Sequence, residues 1–401
     1  MKAVSALSTN HDWEKSLATV LSQAKTEFGG APADLALLFI SSTFAENFQN
    51  IVSRVREETS AKLLAGCSGW GIIGQGREVE AQSAISLMLL SLPDSTLTPF
   101  HFTQEAVEEA DDALYWHNET GVAHDAANFW MLFADPFTMD TDTLVTQLND
   151  AYPQRPIVGG MASGDFSSRQ THLFLDDKVL DHGGVGIAVG GATTLRTVVA
   201  QGCLPIGDPH IITKVERNVI LGLSSKPAYQ VLGETFQQLT PEVQERAQRN
   251  LFVGLVVNEY QEDYKRGDFL IRNIMGVDPN MGALAVGALP RVGQTMQFQL
   301  RDPESADQDL RELLESEVKT EPTSGRPIAG LLCCCNGRGK GLFGAANHDA
   351  GLVAEKLGAM PLTGFFCNGE IGPVGPKNYL HGYTASLALL VPKTDVEPLK
   401  G

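Results

Sequence analysis

Three times along this chain, a helix, a strand, a second helix, a second strand, a glycine-bearing turn and a third strand follow in the same order. In the first copy Trp13, Leu17, Val20, Leu21 and Ala24 share one helical face, Asp12 is placed to cap its start, and Gly29-Gly30 ends it. The apolar run LALLFIS (35–41) suits a buried strand, and Phe44, Phe48, Ile51, Val52 and Val55 repeat the helical spacing. Strand-like LLAG then leads into the turn CSGWGIIGQG and the strand SAISLMLLSL. The second copy has a helical pattern over 104–117, the strand NFWMLFAD (128–135) and a helix marked by Leu144, Val145 and Leu148. It continues with RPIVGGMASGDF (155–166) as strand and turn and closes with GGVGIAVGG (183–191). The third runs from a helix bearing Leu310, Leu313 and Leu314 through PIAGLLCCC (327–335) to a helix over 345–357 that ends at Gly358. PLTGFFCNGEIGP (361–373) and YTASLALLVP (383–392) complete it.

The turns align as Cys67-Ser68-Gly69, Ala162-Ser163-Gly164 and Cys367-Asn368-Gly369. A degenerate further copy falls around 226–300, where hairpin-like strands (FLIRNIMG, GALAVGALP, TMQFQL) follow LFVGLVV (251–257) in place of a helix. Alternating helices and strands imply layered sheets with helices outside, and the hairpin-like parts imply mixed sheets. The expected fold is therefore α/β, with mixed sheets flanked by helices and two closely packed domains. The best boundary lies near 222–228, where Ser224 and Ser225 precede Lys226-Pro227 and Pro suits a helix start. It divides the chain into 1–224 and 225–401.

Composition narrows the function classes. Apolar residues at 43% and charged residues at 19% describe a globular chain. With 30 Lys and Arg against 48 Asp and Glu, the net charge of −18 argues against nucleic acid, whose recognition needs clustered positive charge. The amino terminus, MKAVSALSTNHDWEK, lacks the pattern of a signal peptide, and no apolar run is long enough for a membrane helix. Cys333, Cys334 and Cys335 are consecutive, which suits no ordinary disulfide framework and points to a reducing, cytoplasmic compartment.

Four segments can bear chemistry. In GCSGWGIIGQG, the glycines let backbone N–H groups converge into an anion-binding nest, beside the hydroxyl of Ser68 and the flat face of Trp70. A purely structural turn built on Cys67, Ser68 and Gly69 is the competing reading. In CCCNGRGKGLFG (333–344), Arg338 offers a fork for a carboxylate and Asn336 can donate or accept. The Walker spacing is absent, and no C-x-x-C pair or partnered histidine supports a metal. Strand alternation turns Cys334 away from Cys333 and leaves Cys335 the exposed thiol at the strand end. In GFFCNGEIGP (364–373), Asn368 and Glu370 form a polar turn next to Cys367. Glu370 opposed to Arg338 would grip a zwitterion such as an amino acid, or the two would form a structural ion pair. Finally, His381 and Tyr383 stand two apart at a strand start, facing one side as switch or structural residues.

Together these segments resemble the FIST family. Cys335-Asn336-Gly337-Arg338-Gly339, then GFFCNGEIGP (364–373), then His381-Gly382-Tyr383-Thr384 are similar to the linked signature of the FIST C-terminal domain. GCSGWGIIGQGREVE resembles the signature turn of the FIST N-terminal domain, so the likeness covers roughly 30–392. The resemblance implies a paired domain that senses small ligands, such as amino acids or small carboxylates, in signal transduction. Such pairs accompany output modules in bacteria, and a similar pair occurs in an F-box ubiquitin-ligase subunit. This chain leaves no room for such a module, so a separate signalling output protein is the expected partner besides the ligand. No cofactor, metal, nucleic acid or membrane is expected. The family supplies no catalytic residues, so Cys67, Ser68, Gly69, Trp70, Cys335, Asn336, Arg338, Cys367, Asn368, Glu370, His381 and Tyr383 stand as ligand-binding candidates. Two alternatives remain: a cysteine-dependent enzyme with Cys335 or Cys367 as nucleophile and His381 as base, and a protein-interaction scaffold.

Overall fold

The repeat is present, and its copies exchange strands. The computed structural model describes residues 1–164, 169–248, 250–260, 264 and 267–393. It forms two compact units, residues 1–199 with 313–401 and residues 200–312. Asp165 and Phe166 of the second turn lie outside the described residues.

The first unit holds three six-stranded sheets with one plan. In the first, the spatial order is Lys2–Ser8, Ile85–Ser91, Leu35–Ser41, Leu63–Gly69, then the hairpin Leu173–Leu175 and Lys178–Leu180. That hairpin belongs to the second copy. The second sheet runs Ser95–Phe102, Gly184–Gly191, Phe129–Ala134, Ile157–Met161, and is completed by Gly369–Val374 and Lys377–His381 from the third copy. The third runs Thr193–Ala200, Ala385–Pro392, Ala329–Cys335, Leu362–Cys367, and is completed by Gly71–Gly74 and Arg77–Glu80 from the first copy. Each sheet has one parallel pair at its centre and antiparallel strands around it.

The side-chain period of two sorts residues between two layers. Leu35, Leu37 and Phe39 turn inward, while Ala36, Leu38 and Ile40 turn to the helices Trp13–Phe28 and Phe48–Thr59. Inward residues from all three sheets make one core. There Phe39 stacks on Phe365 at 5.0 Å and meets Phe133 edge-on at 5.5 Å. Burying each such ring contributes roughly 1.5–3 kcal/mol. Asp12 does cap the first helix, accepting from the N–H groups of Glu14 and Lys15, and Gly29 ends it in the left-handed region at φ 82°.

One glycine in each copy fixes how the copies correspond. A Cβ on Gly66 would lie 1.8 Å from the Leu38 carbonyl oxygen, on Gly159 2.0 Å from that of Leu132, and on Gly364 1.8 Å from that of Leu332. No side chain fits so close an approach. With these glycines in register, Trp70, Ser163 and Asn368, each four residues on, occupy the same turn. The Cys67-Ser68-Gly69 alignment of the first turn is therefore displaced by two residues. Backbone crowding, rather than similarity of side chains, sets the correspondence.

The segment around 226–300 is not a further copy. It belongs to the second unit, a stretch of sequence set between the first strand of the third copy and the helix that follows. Its strand Leu204–Glu216 pairs with both Thr295–Leu300 and Val219–Leu223, so that six antiparallel strands close on themselves. The helices Ala228–Gln238 and Pro241–Ala247 bury Val231 and Ala247 in the core of that unit.

Candidate functional site

The three equivalent turns are tied into one hydrogen-bonded cluster. The Trp70 N–H donates to Ser163 Oγ at 2.8 Å, and Ser163 Oγ donates in turn to the Phe366 carbonyl. Ser68 Oγ donates to the Ser163 carbonyl at 2.9 Å and accepts from the His172 N–H at 3.0 Å. Asn368 Nδ2 donates to the Ala162 carbonyl at 2.9 Å, and its Oδ1 accepts from Asn336 Nδ2 at 2.9 Å. Ser163 is thus central, although only its place in the repeat, four residues past Gly159, marks it in the sequence.

Cys335, Asn336 and Arg338 follow the strand Ala329–Cys335, with alternation as expected. Cys333 joins the central core, Cys334 turns the other way, placing Sγ 3.5 Å from Asp349 Oδ2, and Cys335 is partly exposed. The N–H of Cys335 donates to Thr384, as those of Ser41 and Asp135 do to Ala84 and Gly183 in the other copies. Cys335 Sγ accepts from the Gly337 N–H at 3.4 Å, the turn-capping role that Asp135 Oδ1 performs toward the Phe137 N–H at 2.9 Å.

Arg338 is 1% exposed. Its Nε and Nη2 donate to the two oxygens of Asp349 at 2.6 and 2.8 Å, and Nη1 to the Tyr383 carbonyl at 3.3 Å. Asp349 is fully buried as well. Burial alone would raise its carboxyl, but the Arg338 guanidinium overrides this and holds it well below the usual carboxylate range. His348 Nδ1 lies 2.9 Å from Asp349 Oδ1, and its ring stacks on Phe343 at 3.4 Å. Asp349 carries no local sequence signal. It opens a helix eleven residues after the arginine, and only the turn of chain between them brings the two together.

Glu370 is buried and pairs across its hairpin with His381. Its Oε2 accepts from the Thr384 N–H at 3.0 Å. Burial pushes its carboxyl up to about 8, against the pull of that amide, the Arg338 charge and the Cys335 thiol. Glu370 and Arg338 therefore influence each other electrostatically, while the ion pair of Arg338 is with Asp349. His381 is 4% exposed with Nε2 3.0 Å from the Gly372 carbonyl oxygen. It ends its strand, and Tyr383 lies beyond it in the left-handed region at φ 64°, so the alternation expected of the pair does not apply.

Cys67 and Cys367 are buried in the central core with Cys333, and burial pushes both thiols well above their ordinary range, the nearby Cys333 adding to it. Gly69 is buried, and a Cβ there would meet the Gly71 carbonyl oxygen at 2.6 Å. Of the expected binding residues, Trp70, Cys335, Asn336, Asn368 and Tyr383 are partly exposed, and Cys67, Ser68, Gly69, Arg338, Cys367, Glu370 and His381 are buried. A cavity of about 350 Å³ elsewhere in this unit is lined by Ser5, Gln75, Val353, Met360 and Leu362, and by none of the expected residues. Among the described residues, no group of three or more His, Cys, Asp or Glu side chains is placed to hold a metal ion, and no helix is long and apolar enough to cross a membrane.

Two models of known protein domains match the chain. A model of the FIST N domain matches residues 34–226, and one of the FIST C domain matches residues 228–373. These domains are associated with small-ligand sensing in signal transduction. The "Uncharacterized protein MT0656" of Mycobacterium tuberculosis is 38% identical over 387 residues, covering 96% of this chain and 98% of that protein. The "Uncharacterized protein Mb0898c" of Mycobacterium bovis is 36% identical over 385 residues, covering 96% and 97%. Among solved structures, a cyanuric acid hydrolase from A. caulinodans is similar at a TM-score of 0.34 and 8% identity, over 98% of this chain and 100% of that one, a likeness too slight to bear on chemistry. On the two domain matches, which together span most of its length, the chain belongs to the FIST family.

Proposed function

We propose that this protein is a small-ligand sensor whose ligand rests on the joined turns. Trp70, Asn336, Asn368, Cys335 and Tyr383 provide the contact surface, and Ser163 and Glu370 hold that surface in place. The observation that carries this reading is the Asn336–Asn368 side-chain bond of 2.9 Å, which links turns 32 residues apart at partly exposed polar groups. Ligand sites join a few converging polar groups to apolar walls, and the indole of Trp70 and the ring of Tyr383 supply such walls. The buried members of the set act as support. Arg338 orders the loop through Asp349 and the Tyr383 carbonyl, and the glycine turn of 66–71 sets the backbone of Trp70.

Binding without catalysis is favoured by the condition of the candidate nucleophiles and base. The Cys367 thiol is buried and shifted away from the thiolate, Cys335 is partly exposed but caps its own turn by accepting from the Gly337 N–H, and His381 is buried with Nε2 engaged by the Gly372 carbonyl. All six cysteines are free thiols, in keeping with a reducing, cytoplasmic compartment. The signal then passes to a separate output protein. The test is a thermal-shift screen of amides, amino acids and small carboxylates on the wild-type chain and on Asn368→Ala. A stabilising compound whose effect is lost in Asn368→Ala supports the reading, since binding to the folded state adds RT ln(1 + [L]/Kd). A screen without hits at millimolar concentration, or hits indifferent to the substitution, counts against it.

A further inference from the structure

Resting on that reading, we propose that the ligand presents a neutral, planar hydrogen-bonding head of the carboxamide, urea or lactam class, rather than a carboxylate or an ammonium group. The charge of Arg338 is already answered within the protein. Arg338 Nε and Nη2 lie on Asp349 at 2.6 and 2.8 Å with neither side chain exposed, and Nη1 lies on the Tyr383 carbonyl, so the one guanidinium of this loop faces groups of the protein itself. The partly exposed residues of the set, Trp70, Cys335, Asn336, Asn368 and Tyr383, are uncharged.

The polar groups on offer are those of two amides, and their orientation follows from their partners. Asn368 Nδ2 must face the Ala162 carbonyl, since only the nitrogen donates. Its Oδ1 then faces Asn336, which must offer Nδ2 in return. Asn336 Oδ1 is left pointing away from that bond, and it is buried without a hydrogen-bond partner. An orphan acceptor beside amide donors is the complement of a group that both donates and accepts within one plane.

Both charged alternatives fare worse. A carboxylate would give up its hydration while the Arg338 guanidinium stays committed to Asp349, on a chain of net charge −18. An ammonium group needs an ionised carboxylate. The nearest candidate in the set, Glu370, is buried, bonded to the Thr384 N–H and inclined by burial to keep its proton.

The experiment compares benzamide, benzoate and benzylammonium at equal millimolar concentration, a trio alike in ring and size but neutral, negative and positive in head. Thermal shift and calorimetry are read on the wild-type protein and on Asn336→Ala. Benzamide is expected to raise Tm above either ion, and Asn336→Ala to weaken it by about tenfold, the loss of one hydrogen bond. Stabilisation by benzoate or benzylammonium that exceeds that of benzamide and depends on Asn336 overturns the neutral-head inference while leaving the binding site standing. A benzamide effect indifferent to Asn336 overturns both, as does the absence of any effect from the trio and from acetamide, acetate and methylammonium. Should Asn336→Ala not fold, the ranking of the three heads in the wild-type protein decides the inference.

Discussion

Glu370 lies in a strand beside His381, and its burial has a consequence for pH. The folded protein keeps the Glu370 proton up to about pH 8, while the unfolded chain releases it near 4.5. Between those values the folded state binds more protons, so stability falls as pH rises. The contribution is fully present below about 4.5 and gone above about 8. Glu78, raised to about 7 chiefly by burial and then by the Asp349 charge, adds to the same slope. Glu370→Gln cannot ionise, so its stability relative to wild type should improve as pH rises from 5 to 8.5, seen in urea midpoints across that range. Parallel curves for the two proteins would contradict the burial account. Arg338→Ala has a structural effect: it leaves Asp349 buried without its guanidinium, at a cost of about 3–5 kcal/mol. Chemical denaturation should show that loss in the absence of any ligand, and a variant as stable as wild type would contradict it. From sequence, Arg338 offered its fork to any carboxylate. That the carboxylate is Asp349 depends on where a helix start comes to rest in space, which no spacing rule encodes.

The exchanged hairpins hold the repeats of the first unit together at the level of elements. Each adds two strands to the sheet of another copy and fixes itself there with a polar contact. Asp176 meets Arg56, and Glu78 Oε1 accepts from the Ala350 N–H at 2.7 Å at the start of the helix His348–Leu357. In the remaining hairpin, Asn378 Nδ2 donates to Asn149 Oδ1 and the Arg155 carbonyl, both at 2.8 Å, and its Oδ1 accepts from the Ile157 N–H at 2.7 Å. Asn378 is 3% exposed, so Asn378→Ala strands several buried groups and should cost about 2–4 kcal/mol in urea unfolding. A loss below about 0.5 kcal/mol, as for an ordinary surface change, would mean that the latch does not matter. The central strands and most flanking helices were legible because apolar periodicity is strong there. The first strand of each copy was not. Ser95–Phe102 is an edge strand, mostly partly exposed and with Pro99 in its interior, which sequence rules discount and an edge tolerates. The exchange itself was also hidden, since a hairpin has the same sequence whichever sheet it joins.

At the scale of the whole molecule, the first unit gathers three sequence-distant turns into one cluster, and that gathering is what the sensing proposal depends on. The glycine turns and the partly exposed Cys335 were visible in the sequence from residue type and position. Ser163 was aligned with Asn368 but not singled out for the site, because its role lies in hydrogen bonds to the other two turns that only their meeting in space creates. The insertion of residues 200–312 was hidden for a related reason: it too mixes helices with strands, as the repeat around it does. The most direct measurement is a crystal structure with the strongest stabilising compound from the screen. The account predicts ligand density bonded to the side chains of Asn336 and Asn368 with Trp70 or Tyr383 alongside. Density confined to the cavity lined by Ser5, Gln75 and Met360, with the three turns unoccupied, would contradict it.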